Sequence, residues 1–318
     1  MNMQGIPSVD LADFLSDDPV RKQKFVNEIG KAYQEIGFVA LKNHFLSDKL
    51  VNNLYQEVKN FFNLPLATKQ KYEKPQLGGQ RGYVSFGKES AKGRKEGDLK
   101  EFWHFGQYVE DDEKRKAEYP ENIEVTELPS FNKVGKETYQ QLEKTGIYVL
   151  RALSLFLGLD EFYFDKFIHN GNSILRPIHY PPITTEPKNA VRAAAHGDIN
   201  LITLLMGAQG KGLQVQDNEG NWHDAMAQPD ELVINVGDML SRHSNNTLKS
   251  TIHRVVNPPK ELWGTSRYSI PFFMHPVSEM PLNCLENCIT KDNPKQFDDI
   301  TAGEFLHQRL VELGLIKE

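Results

Sequence analysis

The sequence predicts a mainly β fold with flanking α-helices: an antiparallel sandwich or barrel between a helical N-terminal region and a C-terminal helix. Three observations carry this. From Val191 onward, short β-rich runs come with turn signals at 207–212, Asn218-Glu219-Gly220, Gly237-Asp238 and Asn245-Asn246, with no long helical run between them. Ahead of them, residues 20–36 and 48–62 repeat apolar side chains at helical spacing. Behind them, Phe305, Leu306, Leu310 and Leu313 form an apolar stripe suited to packing back on the body.

In chain order, residues 6–14 read as a short strand followed by a turn. Segment 20–36 sets Phe25, Ile29, Tyr33 and Ile36 on one helical face, and Gly37 ends it. Phe38-Val39-Ala40-Leu41 is then a buried strand, and residues 48–62 form a second amphipathic helix stopped before Pro65. Residues 77–98 change character, with several glycines, both charge signs and no period, which suits a connector or the rim of a site. The charges between Lys88 and Lys100 read as solvated. In 129–157, Tyr139, Leu142, Ile147, Leu150, Leu153 and Phe156 predict one long helix backing the sheet. LRPIHY at 175–180 is a strand cut off by Pro181-Pro182. The working division is 1–165, a helical and strand region; 166–280, the β core; and 281–318, an extension packing on that core.

Composition bounds the function. At 318 residues, 39% hydrophobic and 25% charged, the chain has the balance of a soluble globular protein with a large core. A net charge of −6 argues against a nucleic-acid surface as its main purpose. Cys284 and Cys288 are too few for a disulfide framework and lack the further ligands of a closed zinc site, so they are expected as reduced thiols. The opening MNMQGIPSVDLADF has no apolar signal region, and no apolar run approaches membrane-spanning length. The expectation is a cytoplasmic protein with no membrane partner.

The chemistry concentrates in VRAAAHGDINLITLL, residues 191–205, which read as strand. His196 and Asp198 sit two apart, and i and i+2 of a strand share a face. An imidazole and a carboxylate beside apolar neighbours are costly unless a cation joins them. STIHRVV at 250–256 adds His253, on the same face as Thr251 and Val255. RYSIPFF at 267–273 sets Arg267 and Ser269 two apart. Two histidines and one carboxylate that leave half a metal's positions open are the donor set of non-haem Fe(II) oxygenases. Arg267 with Ser269 offers a forked cation and a hydroxyl to a carboxylate.

On these phrases, with EIGFVALKNH (35–44), FFNLPLATKQKY (61–72), GLQVQDNEGNW (212–222), VINVGDMLSRHSN (233–245) and KSTIHRVVNP (249–258), the chain resembles the isopenicillin N synthase-like family of 2-oxoglutarate- and Fe(II)-dependent dioxygenases. The resemblance covers nearly the whole chain, in the family's order. It implies a double-stranded β-helix (jelly-roll) core with a helical N-terminal part.

The same resemblance implies roles. His196, Asp198 and His253 are expected to hold Fe(II), and Arg267 and Ser269 the distal carboxylate of 2-oxoglutarate. O2 is the oxidant, and ascorbate an optional reductant. A carboxylate at 198 favours hydroxylation, desaturation or ring closure over halogenation. Tyr180 matches the tyrosine of the family's Asn-x-Tyr phrase, but the asparagine is Ile178 here, which removes one polar contact to the co-substrate. Arg81, Tyr83, Phe273 and His275 are candidate contacts to a small-molecule substrate. Asp238 reads as part of a turn, and His243 as a non-ligand histidine. The rival readings are a 2-oxoglutarate-independent oxidase of the isopenicillin N synthase or aminocyclopropane carboxylate oxidase type, and a non-catalytic metal or metabolite sensor. Oligomeric state stays open.

Overall fold

The computed structural model describes residues 6–88, 98–184, 186, 191–206, 212–217 and 219–312. Of the charges expected to be solvated between Lys88 and Lys100, those at 89–97 lie outside them, as do the turn at 207–211, Asn218 and Leu313; Asp98 and Lys100, contrary to that expectation, are buried as an ion pair at 2.9 Å. The described residues form thirteen strands: β1 (Ser8–Asp10), β2 (Phe38–Lys42), β3 (Gly82–Val84), β4 (Glu101–Gly106), β5 (Ile174–Leu175), β6 (Ile178–Tyr180), β7 (Ala193–His196), β8 (Ile202–Met206), β9 (Leu213–Gln216), β10 (Trp222–Asp224), β11 (Leu232–Val236), β12 (His253–Val255) and β13 (Arg267–Met274).

Nine of these make a large sheet in the order β1-β2-β11-β8-β13-β5-β4-β3, with β6 pairing both β13 and β4. The other four make a small sheet, β10-β9-β12-β7. Only the β1–β2 pair among them is parallel. The inner face of the large sheet meets the small one through Phe38, Val233, Leu213, Val215, Ala225, Val255 and Ala193. Its outer face carries the helices, where Phe25, Ile29, Leu54, Phe61, Tyr139 and Leu150 pack on Leu204, Ile234 and Phe272. This is a double-stranded β-helix with its helices on one side.

Local sequence explains most element ends. The helix Pro19–Glu35 starts where the Asp18 side chain accepts from the Val20 amide, with Pro19 in the first turn. It stops at Gly37, whose φ of +76° suits glycine. The helix Asp48–Phe62 is capped by Ser47, which accepts from Leu50. The long helix Pro129–Phe156 buries Tyr139, Leu142, Val149, Leu150 and Leu153.

Four further details differ from expectation. Residues 11–14 form a short helix, because the Asp10 carboxylate caps the Ala12 amide. The loop at 77–98 contains β3. LRPIHY splits into β5 and β6 at Arg176-Pro177, where proline has no N–H for the ladder. Asp238 opens the helix Asp238–His243 instead of closing a turn; an acid suits a helix N-terminus, and Met239 and Leu240 bury beneath it.

Candidate metal centre and co-substrate pocket

β7 and β12 are antiparallel neighbours, and their register sets His253 directly opposite His196. Opposed residues share a face, so both imidazoles point the same way, with ring centroids 4.4 Å apart. Asp198 lies beyond the end of β7, where the chain turns. It reaches the histidines from that turn and not as the next same-face residue of a strand. Its Oδ1 lies 3.9 Å from His196 Nε2 and 3.8 Å from His253 Nε2. All three donor atoms fall within 4.8 Å of one another, and no other group of three His, Cys, Asp or Glu among the described residues does this.

Each donor is oriented by its other polar atom. His196 Nδ1 lies 2.7 Å from the Ala194 carbonyl and His253 Nδ1 3.2 Å from that of Thr251. A carbonyl only accepts, so each Nδ1 carries the proton and each Nε2 presents its lone pair to the centre. Asp198 Oδ2 accepts from Thr203 Oγ1 at 2.7 Å and from Asn235 Nδ2 at 2.8 Å, leaving Oδ1 for the centre. Burial alone would raise the Asp198 pKa. The flanking histidines and these two hydrogen bonds outweigh it and hold the group ionised. Asp198 and His253 are buried, but the His196 side chain is 42% exposed, so one side of the triad is open to small molecules.

The arrangement fits a divalent cation: two neutral nitrogens and one anionic oxygen converge, hydrogen bonds behind them hold them in place, and protein donors occupy one side only. Thr203 and Asn235 escaped sequence reading. Their signal was a lone polar residue inside an apolar strand, in ITLLM and LVINV.

The wall beside the triad comes from β13 and β6, with Arg267 opposite Tyr180 and Ser269 opposite Ile178. This face carries the buried cluster Val84, Phe102, Ile178 and Tyr180. Arg267 Cζ lies 5.4 Å from the centre of the Tyr180 ring. Its Nε and Nη1 are buried with no hydrogen-bond partner among the described residues. Buried guanidinium N–H groups without partners are costly, and an anion beside them would relieve that cost. Arg192, one residue before β7, lies over the same ring at 5.6 Å.

Phe273 pairs with Thr203 and so shares the face of the residue that holds Asp198. His275 follows β13; burial pushes its imidazole down to about 4, keeping it neutral near pH 7, with Asp198 and Arg176 acting on it in opposite senses. Arg176, also unforeseen, stands between Phe273 (5.1 Å) and Phe102 (4.5 Å), with Nε 2.5 Å from His104 Nε2.

Tyr83 does not join this chamber. Tyr83 pairs with Trp103, on the opposite face of the sheet from Val84, packs on Phe61 and donates to Glu101. Period-two alternation sends it to the helix side. Arg81 is wholly buried against Gly106, where an added Cβ would overlap its guanidinium carbon, with tyrosines 108, 119 and 139 around it. His243 is held by Tyr163 and the Asn283 carbonyl, away from the triad.

Residues 6–127 match the family described as non-haem dioxygenase in morphine synthesis N-terminal, and residues 171–276 match the 2OG-Fe(II) oxygenase superfamily. The chain belongs to the 2OG-Fe(II) oxygenases. This oxygenase is 30% identical over 322 residues to proline hydroxylase buaE of Petromyces alliaceus, covering 96% of its own length and 99% of the relative's. A 2OG-Fe(II) oxygenase family protein from Caulobacter crescentus shares its fold at a TM-score of 0.88 and 42% identity, over 97% and 99% of the two chains. A full-length Neurospora crassa protein solved in complex with alpha-KG superposes at a TM-score of 0.84 and 31% identity, over 98% of each chain. The oxygenase is therefore an Fe(II)- and 2-oxoglutarate-dependent dioxygenase acting on a small molecule, and the oxidase and sensor readings fall away. None of its helices among the described residues is long and apolar enough to cross a membrane.

Proposed function

We propose that His196, Asp198 and His253 bind Fe(II), that Arg267, Ser269 and Tyr180 seat 2-oxoglutarate beside it, and that Phe273 and His275 border the primary substrate. The observation that carries this is the convergence of two Nε2 atoms and one Oδ1 within 4.8 Å, each with its companion atom tied elsewhere. When bound there, Fe(II) activates O2 as 2-oxoglutarate is decarboxylated to succinate and CO2. The chain's own part is to leave one side of the triad bare, orient both organic molecules and keep bulk water out.

The primary substrate in this reading is a small ring-bearing metabolite that is hydroxylated. The Neurospora crassa relative, 31% identical, is solved with alpha-KG and thymine. Phe273 offers a ring one strand from Asp198, and neutral His275 a polar contact beside it. A net charge of −6 supports a partner other than nucleic acid, and the two free buried thiols support a cytoplasmic location.

Anaerobic titration of the Fe(II)-loaded protein with 2-oxoglutarate tests the reading. A visible charge-transfer band is expected once the co-substrate saturates the protein; no band at saturating 2-oxoglutarate would sink it. A library of small cyclic metabolites, scored by substrate-dependent succinate release, then identifies the second substrate.

A further inference from the structure

Two guanidinium groups share one tyrosine. Arg267 reaches the ring of Tyr180 from the neighbouring strand of the large sheet, and Arg192 reaches it from the start of the small sheet. Arg192 is 4% exposed. Its hydrogen bond from Nη2 to the Thr265 carbonyl is long, at 3.5 Å, and its Nε is buried without a partner. Arg267 likewise leaves Nε and Nη1 unsatisfied. Neither arginine has a carboxylate in salt-bridge range among the described residues. Ile178, on the same face, offers no polar side-chain atom.

Two neighbouring like charges, Arg192 buried and Arg267 half-buried with its Nε and Nη1 covered, are unfavourable while their donors go unmet. Both guanidinium carbons lie within 5.6 Å of the Tyr180 ring centre, and burial first, then the Arg267 charge, lower the Arg192 pKa. The aromatic face recovers part of that energy but satisfies no N–H. One carboxylate, with about four acceptor directions, carries enough acceptors for two guanidinium groups.

We propose that Arg192 and Arg267 form a two-arginine clamp on Tyr180 for the distal carboxylate of the 2-oxo acid co-substrate, and that Arg192 makes the site selective for dicarboxylic over monocarboxylic 2-oxo acids. This rests on the co-substrate reading above and assigns it a second cation.

The test is calorimetric binding of 2-oxoglutarate and of 2-oxopentanoate, which has the same chain but no distal carboxylate, to Mn(II)-loaded protein. Substituting Arg192→Leu should weaken 2-oxoglutarate about tenfold to a hundredfold, the range for one charge-assisted hydrogen bond. It should leave 2-oxopentanoate within about twofold, collapsing the ratio between them. The ligand-free variant should melt no lower than wild type, since a repelled, unsatisfied cation has been removed. Arg192→Lys keeps the charge but not the fork, and should fall between the two; it serves if the leucine variant does not fold. Equal weakening of both acids, or unchanged 2-oxoglutarate affinity while Arg267→Leu destroys it, overturns the clamp and leaves the co-substrate reading standing. Unchanged affinity in Arg267→Leu as well overturns both.

Discussion

His253 faces His196 across the β7–β12 ladder, and both rings donate their Nδ1 protons to carbonyls of their own strand segments. The two Nε2 lone pairs are thereby set before any ion arrives. Asp198→Ala and His253→Ala should each weaken Mn(II) or Zn(II) binding at least about a hundredfold, with the melting temperature of the metal-free protein little changed. Competition against a chromophoric chelator reads this directly, and wild-type affinity in either variant would remove that residue from the centre.

Thr203 and Asn235 hold the Asp198 oxygen that faces away from the histidines. Thr203→Val and Asn235→Leu should each lower metal affinity by about 10–100-fold, because the carboxylate is freed to rotate. If metal binding survives both changes intact, the orientation of Asp198 is set by the backbone turn alone.

Glu101 is a buried carboxylate that accepts from Lys69 at 2.8 Å, from His179 at 2.8 Å and from Tyr83. Burial alone would raise its pKa, but these bonds hold it below the ordinary 4.5. A depressed carboxyl stabilises the fold at pH above its unfolded value and loses that effect as pH falls through the folded value. Glu101→Gln should therefore destabilise by about 3 kcal/mol at pH 7. The gap to wild type should shrink as pH drops below 4.5. Thermal melts from acid to neutral pH decide it: a constant gap would mean the charge contributes nothing. His179 stacks on Tyr268, which lies between Arg267 and Ser269 in the chain, so loosening this network should also weaken 2-oxoglutarate binding.

Gly106 makes room for the Arg81 guanidinium, and Gly106→Ala has no space to fill. The expected loss is about 1–3 kcal/mol from overpacking. Metal affinity should be unchanged, because Arg81 is not among the three converging donors. A clear drop in metal affinity would tie Arg81 to the site after all.

The architecture and the triad's membership were readable through short phrases rather than periodicity. HGD pointed to two residues that the fold does bring together, yet the same-face rule for strands was not the cause, because Asp198 stands in the turn after β7. Tyr83 shows the limit of alternation. Which face a residue takes depends on its partner strand, and Tyr83 pairs with Trp103, across a separation that no local pattern reports. Nothing in the local sequence singled out Arg192 or Arg176, because what an arginine meets depends on what lies across the barrel. Thr203 and Asn235 were visible as polar residues in apolar strands, but only the fold shows which side chain they hold.

β2, contributed by the leading segment of the chain, lies between β1 and β11 and covers the outer row of amides and carbonyls on the strand that carries Asn235. A fragment beginning after residue 165 would leave that row bare, and bare strand edges recruit other chains. The catalytic half is thus not a portable cassette: truncated expression should give aggregates rather than a minimal enzyme, and grafting or fusion work has to keep the leading segment.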